Sequence, residues 1–153
     1  LYEPSGAVVR AHLVQELAQE LGANLIDPHL AYLTAAKAVQ SPLAQCYEVL
    51  EEIPVHEKQL KKWVRERGFT ALTIKKRGVD LVPEKLRATL LAGGAGKKSG
   101  KKAAKNQGYN PATLVFTRVG SGQQARRIGW HVRPVDFSDA AHVSSSDTKN
   151  SAV

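Results

Sequence analysis

The chain has 153 residues, of which 42% are hydrophobic and 24% charged, and its net charge is +8. These values are typical of a soluble globular protein with one ordinary domain or two very small ones. The sequence has neither an apolar run of about 18 residues nor a basic start followed by an apolar core, so we expect no membrane span and no signal peptide.

Residues 6–21 are predicted to form one amphipathic helix. Ser5 is a suitable N-cap and Gly22 a suitable stop. The apolar residues between them recur at every fourth position: Val9, Leu13, Leu17 and Leu21. The stretch 24–29 is broken by Pro28 and predicts a strand fragment followed by a loop. We therefore expect residues 1–45 to be an N-terminal helical and linker segment.

A sharper pattern of strands and helices begins at Cys46. The predicted elements are a strand over 47–53, a helix over 57–67, a strand over 69–76, a helix over 83–91, and two strands over 113–119 and 126–133. This order, β-α-β-α-β-β, indicates an α+β domain over residues 46–135. We expect a two-layer sandwich, with both helices on one face of the sheet.

Two segments have a composition that disfavours a packed core. Residues 93–108 contain five lysines, no acidic residue and no large apolar one, and predict a flexible loop. This loop is interpreted either as a mobile tether for a polyphosphate or as a solubilising insertion. Residues 136–153 are rich in Ser, Asp and Ala, and predict a disordered tail.

The sequence offers no catalytic constellation. Its five histidines are scattered, without the spacing of a metal site, and it has no glycine-rich turn of the kind that binds a dinucleotide. Cys46 is alone, which favours a reducing, cytoplasmic location and a structural thiol. The chain begins with Leu1 and contains no methionine, so we interpret it as a piece of a longer protein. We expect this piece to be no enzyme by itself and to hold no cofactor.

The charge is divided unevenly along the chain. Residues 1–53 hold two basic and seven acidic residues, whereas residues 54–135 hold 19 basic and four acidic ones. Charge concentrated in one section indicates a surface for a polyanion, with the acidic section turned elsewhere.

The candidate nucleic-acid-binding residues come from three places along the chain. The first is a stripe at i, i+3, i+4 and i+7 on the helix over 57–67, the second is a run that closes a strand, and the third is the last hairpin. They are Lys58, Lys61, Lys62 and Arg65; Lys75, Lys76, Arg77 and Gly78; and Arg118, Arg126, Arg127 and Arg133. A lysine-rich helix face is equally typical of a merely solvated surface.

Several segments of the sequence form a known arrangement: residues 1–4, 7–11, 26–28 and 31–34 in the first part, and 47–49, 53–54, 72–80 and 112–118 in the second. They resemble the C-terminal, THUMP-like region of a bacterial class I S-adenosylmethionine-dependent methyltransferase family. The run Ile74–Asp80 is the most specific of them, and Lys75, Lys76, Arg77 and Gly78 are its matched motif.

The resemblance implies an RNA-binding accessory domain that positions substrate for an upstream catalytic domain of the same chain. S-adenosylmethionine would be the cofactor of that parent protein. The alternative is a docking module that packs against the catalytic domain and makes no contact with nucleic acid.

Overall fold

The computed structural model describes residues 1–93, 108–120 and 122–138. Within these ranges the chain forms a seven-stranded sheet and four α-helices, which confirms the predicted α+β class. The strands are β1 (Tyr2–Pro4), β2 (Asn24–Asp27), β3 (Leu30–Thr34), β4 (Ala44–Ile53), β5 (Ala71–Lys76), β6 (Pro111–Val119) and β7 (Arg126–Pro134). The helices are α1 (Gly6–Arg10), α2 (Val14–Leu21), α3 (Glu57–Glu66) and α4 (Pro83–Leu91). None of these described helices has the length and apolar character needed to cross a membrane.

The sheet is mixed, with the strand order β2-β3-β1-β4-β7-β6-β5. Strands β5 and β6 pair in parallel, and every other neighbouring pair is antiparallel. Consequently β4, β5 and β6 run in the same direction, and α3 and α4 return the chain after β4 and β5. From β4 onward the elements follow the order strand, helix, strand, helix, strand, strand.

One face of β5 and β6 is covered by α3 and α4. Side chains of a strand alternate between its two faces, so every second residue of β5 and β6 reaches these helices. The buried side chains of this core are apolar: Ile53, Leu60, Val64, Leu72, Ile74, Leu90, Ala112, Leu114 and Phe116. Gly129 lies opposite Phe116 in the ladder, where an added Cβ would be 2.8 Å from the Phe116 ring.

The single helix predicted over 6–21 is wrong. Ser5 caps α1 and Gly22 ends α2 in a left-handed conformation, as expected, but the chain breaks between them at His12 (φ 58°). A strict four-residue repeat rotates about 40° per repeat around a helix of 3.6 residues per turn. Leu13 lies at this break, just before α2, and is 48% exposed, whereas Val8 and Leu17 are buried in the same cluster.

The remainder of the N-terminal segment also differs from the prediction. Residues 24–27 form a strand as expected, but β1 and β3 were not predicted, because three and five residues are too short to show a periodicity. Buried Leu1 and Tyr32 pack with Val115 and Val132, on the face of β6 and β7 that α3 and α4 leave open. The expected two-layer sandwich is therefore incomplete, since both faces of the sheet are covered.

Two of the sequence predictions fall largely outside the described residues. Most of the expected flexible loop, 94–107, and most of the expected tail, 139–153, belong to the part of the chain that the structure does not describe.

Candidate nucleic-acid interface

The α3 stripe lies on the outer surface. Lys58, Lys62 and Arg65 are exposed and Lys61 is half-buried, whereas Leu60 and Val64 point into the core. Lys62 Nζ lies 3.7 Å from Glu66 Oε1, one turn away, and both side chains are at least 60% exposed. Such exposed pairs contribute little to stability and exchange readily with other partners.

The end of α4 lies beside this stripe. Gly93 follows α4, and a Cβ added there would lie 3.8 Å from Lys61 Cε. The chain thus enters the lysine-rich segment, whose own structure is not described, next to α3.

Lys75 and Lys76 point to opposite faces of β5. Lys76 is exposed, whereas Lys75 points toward the N-terminal strands, with its Nζ 2.6 Å from Glu3 Oε2 and 5.7 Å from the centre of the Tyr47 ring. Burial disfavours the ammonium of Lys75, but the hydrogen bonds and charge interactions with Glu3 and Tyr47 together outweigh it, so the pKa of Lys75 is raised. Of the two lysines, only Lys76 projects into solvent.

Arg77 and Gly78 also contact the N-terminal strands. Arg77 Nη2 donates to the Pro4 carbonyl oxygen at 3.3 Å, and its Cζ lies 5.4 Å from the centre of the Tyr32 ring. Gly78 has φ 68°, and an added Cβ would lie 2.6 Å from the Leu30 side chain. The close approach that requires this glycine is made by β3 of the same chain.

The four hairpin arginines do not form one patch. Arg118 is half-buried, with its Nε 3.8 Å from Oδ2 of the buried Asp27. Arg126 Nη1 lies 3.4 Å from Glu52 Oε1, and Arg133 Nε donates to Glu48 Oε2 at 3.2 Å. Arg127 is exposed and lines a cavity of about 390 Å³ between the first turns of α3 and α4, which also contains acidic side chains.

The acidic and basic sections of the chain are not separate surfaces, contrary to the expectation from composition. Five of the seven acidic residues in 1–53 form ion pairs with cations from 54–135 among the described residues. The pairs are Glu3–Lys75, Asp27–Arg118, Glu48–Arg133, Glu51–Arg67 and Glu52–Arg126. The cause is topological, because β4 lies beside β7 and the N-terminal strands cover the back of β5 and β6.

A cluster around His131 was missed by the sequence analysis. Arg67 donates to both oxygens of Glu51, at 2.6 and 2.9 Å, and stacks on Trp63. The hydrogen bond from Arg67 lowers the pKa of Glu51, and burial lowers the pKa of His131 beside Trp63 and Phe69. These residues belong to four different elements or loops, so no local spacing could have indicated them.

None of the described residues forms a group of three or more His, Cys, Asp or Glu side chains that could hold a metal ion. Of the other predicted cations, Lys75, Arg77 and Arg118 are engaged largely within the fold, whereas Arg126 and Arg133 form exposed ion pairs with Glu52 and Glu48. The α3 stripe is the part of the predicted site that remains on the surface as a continuous row.

Comparisons with known proteins agree with this architecture. Residues 44–134 match the family model described as THUMP domain-like. An uncharacterized S-adenosylmethionine-dependent methyltransferase of Mycobacterium tuberculosis, found in strains CDC 1551 and H37Rv, is 30% identical over 134 residues. The match covers 88% of this chain but only 33% of that protein, so this chain spans about a third of the length of these curated relatives.

A solved structure shares the fold. The crystal structure of a "putative methyltransferase" from Porphyromonas gingivalis W83 superposes with a TM-score of 0.61 at 21% identity. The match covers 88% of this chain and 29% of that one. Because the family model spans more than half of the sequence, including β4 to β7 and both core helices, the chain belongs to the THUMP domain-like family.

Proposed function

We propose that this chain is the RNA-binding accessory domain of a larger S-adenosylmethionine-dependent methyltransferase and positions substrate RNA for a catalytic domain. The relatives named as methyltransferases are about three times longer than this match, which leaves room for a separate catalytic part. The chain itself would contribute charge and shape, whereas the parent protein would bind the cofactor.

The observation that carries the proposal is the exposed row of cations on α3. Lys58, Lys62 and Arg65 occupy positions i, i+4 and i+7 of one helix face, so at about 1.5 Å per residue they span about 10 Å. Phosphates on one strand of a duplex follow at about 3.4 Å of helix axis, so the row is long enough to contact two or three of them, and such contacts release counterions. Lys76 and Arg127 provide further exposed cations on the same domain.

A docking module without RNA contact is the second candidate function. It is favoured by Lys75, Arg77 and Arg118, whose charged groups contact the N-terminal strands of this chain. If the matched motif serves only to assemble the domain, the exposed α3 row could pack against an acidic surface of the catalytic domain. RNA binding by the isolated chain separates the two functions.

The test is binding of a fluorescent structured RNA by this chain across a salt series. The variant K58A/K62A/R65A removes the α3 row, and R10A/K37A/R87A removes three exposed charges that are not among the candidate residues. We expect the slope of log K against log salt to become shallower only in the first variant. The decrease should be about 0.9 for each duplex phosphate that the protein no longer neutralises, or about 0.7 on a single strand.

Both variants lower the net charge by three. A difference in RNA affinity between them therefore reports on the α3 row and not on net charge. An equal loss of affinity in both would show that net charge alone attracts RNA, and would contradict a specific α3 interface. Absence of salt-dependent binding by the wild-type chain would reject the RNA function and leave the docking module.

A further inference from the structure

A cavity lies on the side of the sheet opposite to α3 and α4, where α1 and α2 meet the hairpin formed by β2 and β3. Its volume of about 620 Å³ is within the size range of small-molecule sites. Its polar lining comes from His12 and Gln15 on one side, His29 on another, and Arg77 on the third. Two of its walls, the helix pair and the hairpin, belong to the N-terminal segment, and Arg77 and Gly78, which follow β5, form the third.

The chemistry of the lining favours an anion. None of the described residues that line the cavity is acidic, whereas an arginine, two imidazoles and an amide reach it. Arg77 carries five N–H donors, and the described structure uses one of them, from Nη2 to the Pro4 carbonyl oxygen. Guanidinium and imidazole groups are the donors that proteins use for phosphate.

The remaining walls are apolar. Leu25, Leu30 and neighbouring aliphatic side chains line the rest of the cavity, and such surfaces accept the flat face of a base that has left its stack. An amide such as that of Gln15 can bond to the edge of an unpaired base. Phosphate donors and an apolar wall in one cavity match a single nucleotide better than they match a duplex.

The backbone at the rim supports a binding role. His12 has φ 58°, a conformation that non-glycine residues adopt rarely and that is retained where the surroundings impose it. This conformation turns the chain between α1 and α2 and places the His12 side chain at the cavity.

We propose that this cavity binds one unpaired nucleotide of an RNA strand, with its phosphate on Arg77, His12 and His29 and its base against Leu25 and Leu30. This inference rests on the proposed function and adds to it a nucleotide site on the face opposite α3. The matched motif would then serve both the fold and the ligand through Arg77.

The experiment titrates the chain with the four nucleoside 5′-monophosphates, the uncharged nucleosides and inorganic phosphate. Binding is followed by the histidine ring signals in NMR. We expect a monophosphate to shift the signals of His12 and His29 but not that of His56, which lies at the other cavity. Nucleosides and inorganic phosphate should each bind at least about tenfold more weakly, because a nucleoside lacks the phosphate and inorganic phosphate lacks the base.

The variant H12G/H29A removes both imidazoles, and H56A is its matched control. Glycine adopts φ 58° without strain and both histidines are exposed, so the urea unfolding midpoint should be unchanged. We expect about tenfold weaker binding of the monophosphate in H12G/H29A, weaker binding of RNA as well, and wild-type behaviour in H56A.

Unshifted histidine signals, or equal affinity in H12G/H29A and the wild type, would overturn the nucleotide site. If the wild type still binds RNA in the salt series, that failure concerns the cavity alone. Absence of RNA binding by the wild type would reject the proposed function and, with it, a site for a nucleotide of RNA.

Discussion

The two faces of β5 and β6 are closed by different chemistry. Toward α3 and α4, the buried side chains are aliphatic or aromatic, with Leu114 and Phe116 almost inaccessible. Toward the N-terminal strands, the apolar contacts of Tyr32 and Val115 are bordered by ion pairs such as Glu3–Lys75 and Asp27–Arg118. Burial of apolar area provides most of the stability of a domain, whereas paired charges contribute less.

This difference explains why a run of cations in the sequence is a poor guide to a binding surface. Within Lys75-Lys76-Arg77, the alternation of a strand sends Lys75 and Arg77 to one face and Lys76 to the other. The N-terminal strands cover the first face, so Lys75 and Arg77 have partners on those strands, whereas Lys76 lies on the exposed side. A helix has one face free of packing, and the α3 row therefore remains exposed.

The largest expected loss of stability comes from a substitution on the apolar face. Phe116→Ala leaves a cavity between the sheet and α3, and should lower the free energy of unfolding by about 3–5 kcal/mol in urea denaturation. A loss below about 1 kcal/mol would contradict the view that this face provides most of the stability.

An intermediate effect is expected where β3 approaches Gly78. Gly78→Ala forces a Cβ against Leu30 at a positive φ, and should cost about 2–3 kcal/mol in urea denaturation. Gly22→Ala is the matched control, because Gly22 has φ 59° but no atom within 4 Å of an added Cβ, and it should cost only about 1 kcal/mol. Equal destabilisation of both variants would show that the approach of β3 is not restrictive.

The smallest expected effect distinguishes neighbouring lysines. Lys75→Met keeps the aliphatic stem but leaves Glu3 without its ion pair, and should cost about 1–2 kcal/mol. Lys76→Met, on the exposed face, should change stability by less than about 0.5 kcal/mol. Both free energies of unfolding are measured by urea denaturation. A larger loss of stability in Lys76→Met than in Lys75→Met would contradict the assignment of the two faces.

Much of the domain from β4 onward could be predicted from the sequence, because its elements are long enough to show a period. The first residues of α3, α4 and β7, which are Glu57, Pro83 and Arg126, agree with the prediction. The N-terminal part could not be predicted as well, since β1 and β3 are short and their pairing joins distant residues. Pairs such as Tyr2 with Leu33 and Cys46 depend on tertiary contacts that leave no local pattern.

The sequence by itself determined which residues are charged, the amphipathic character of α3 and the class of the fold, because these follow from composition and local periodicity. Only the tertiary structure decided which charges remain on the surface. Folding of the N-terminal strands over β5 and β6 pairs Glu3 with Lys75 and Asp27 with Arg118, across 72 and 91 positions of the chain. An ion pair depends on distance in space, and that distance is set by the sheet order and not by the order of residues.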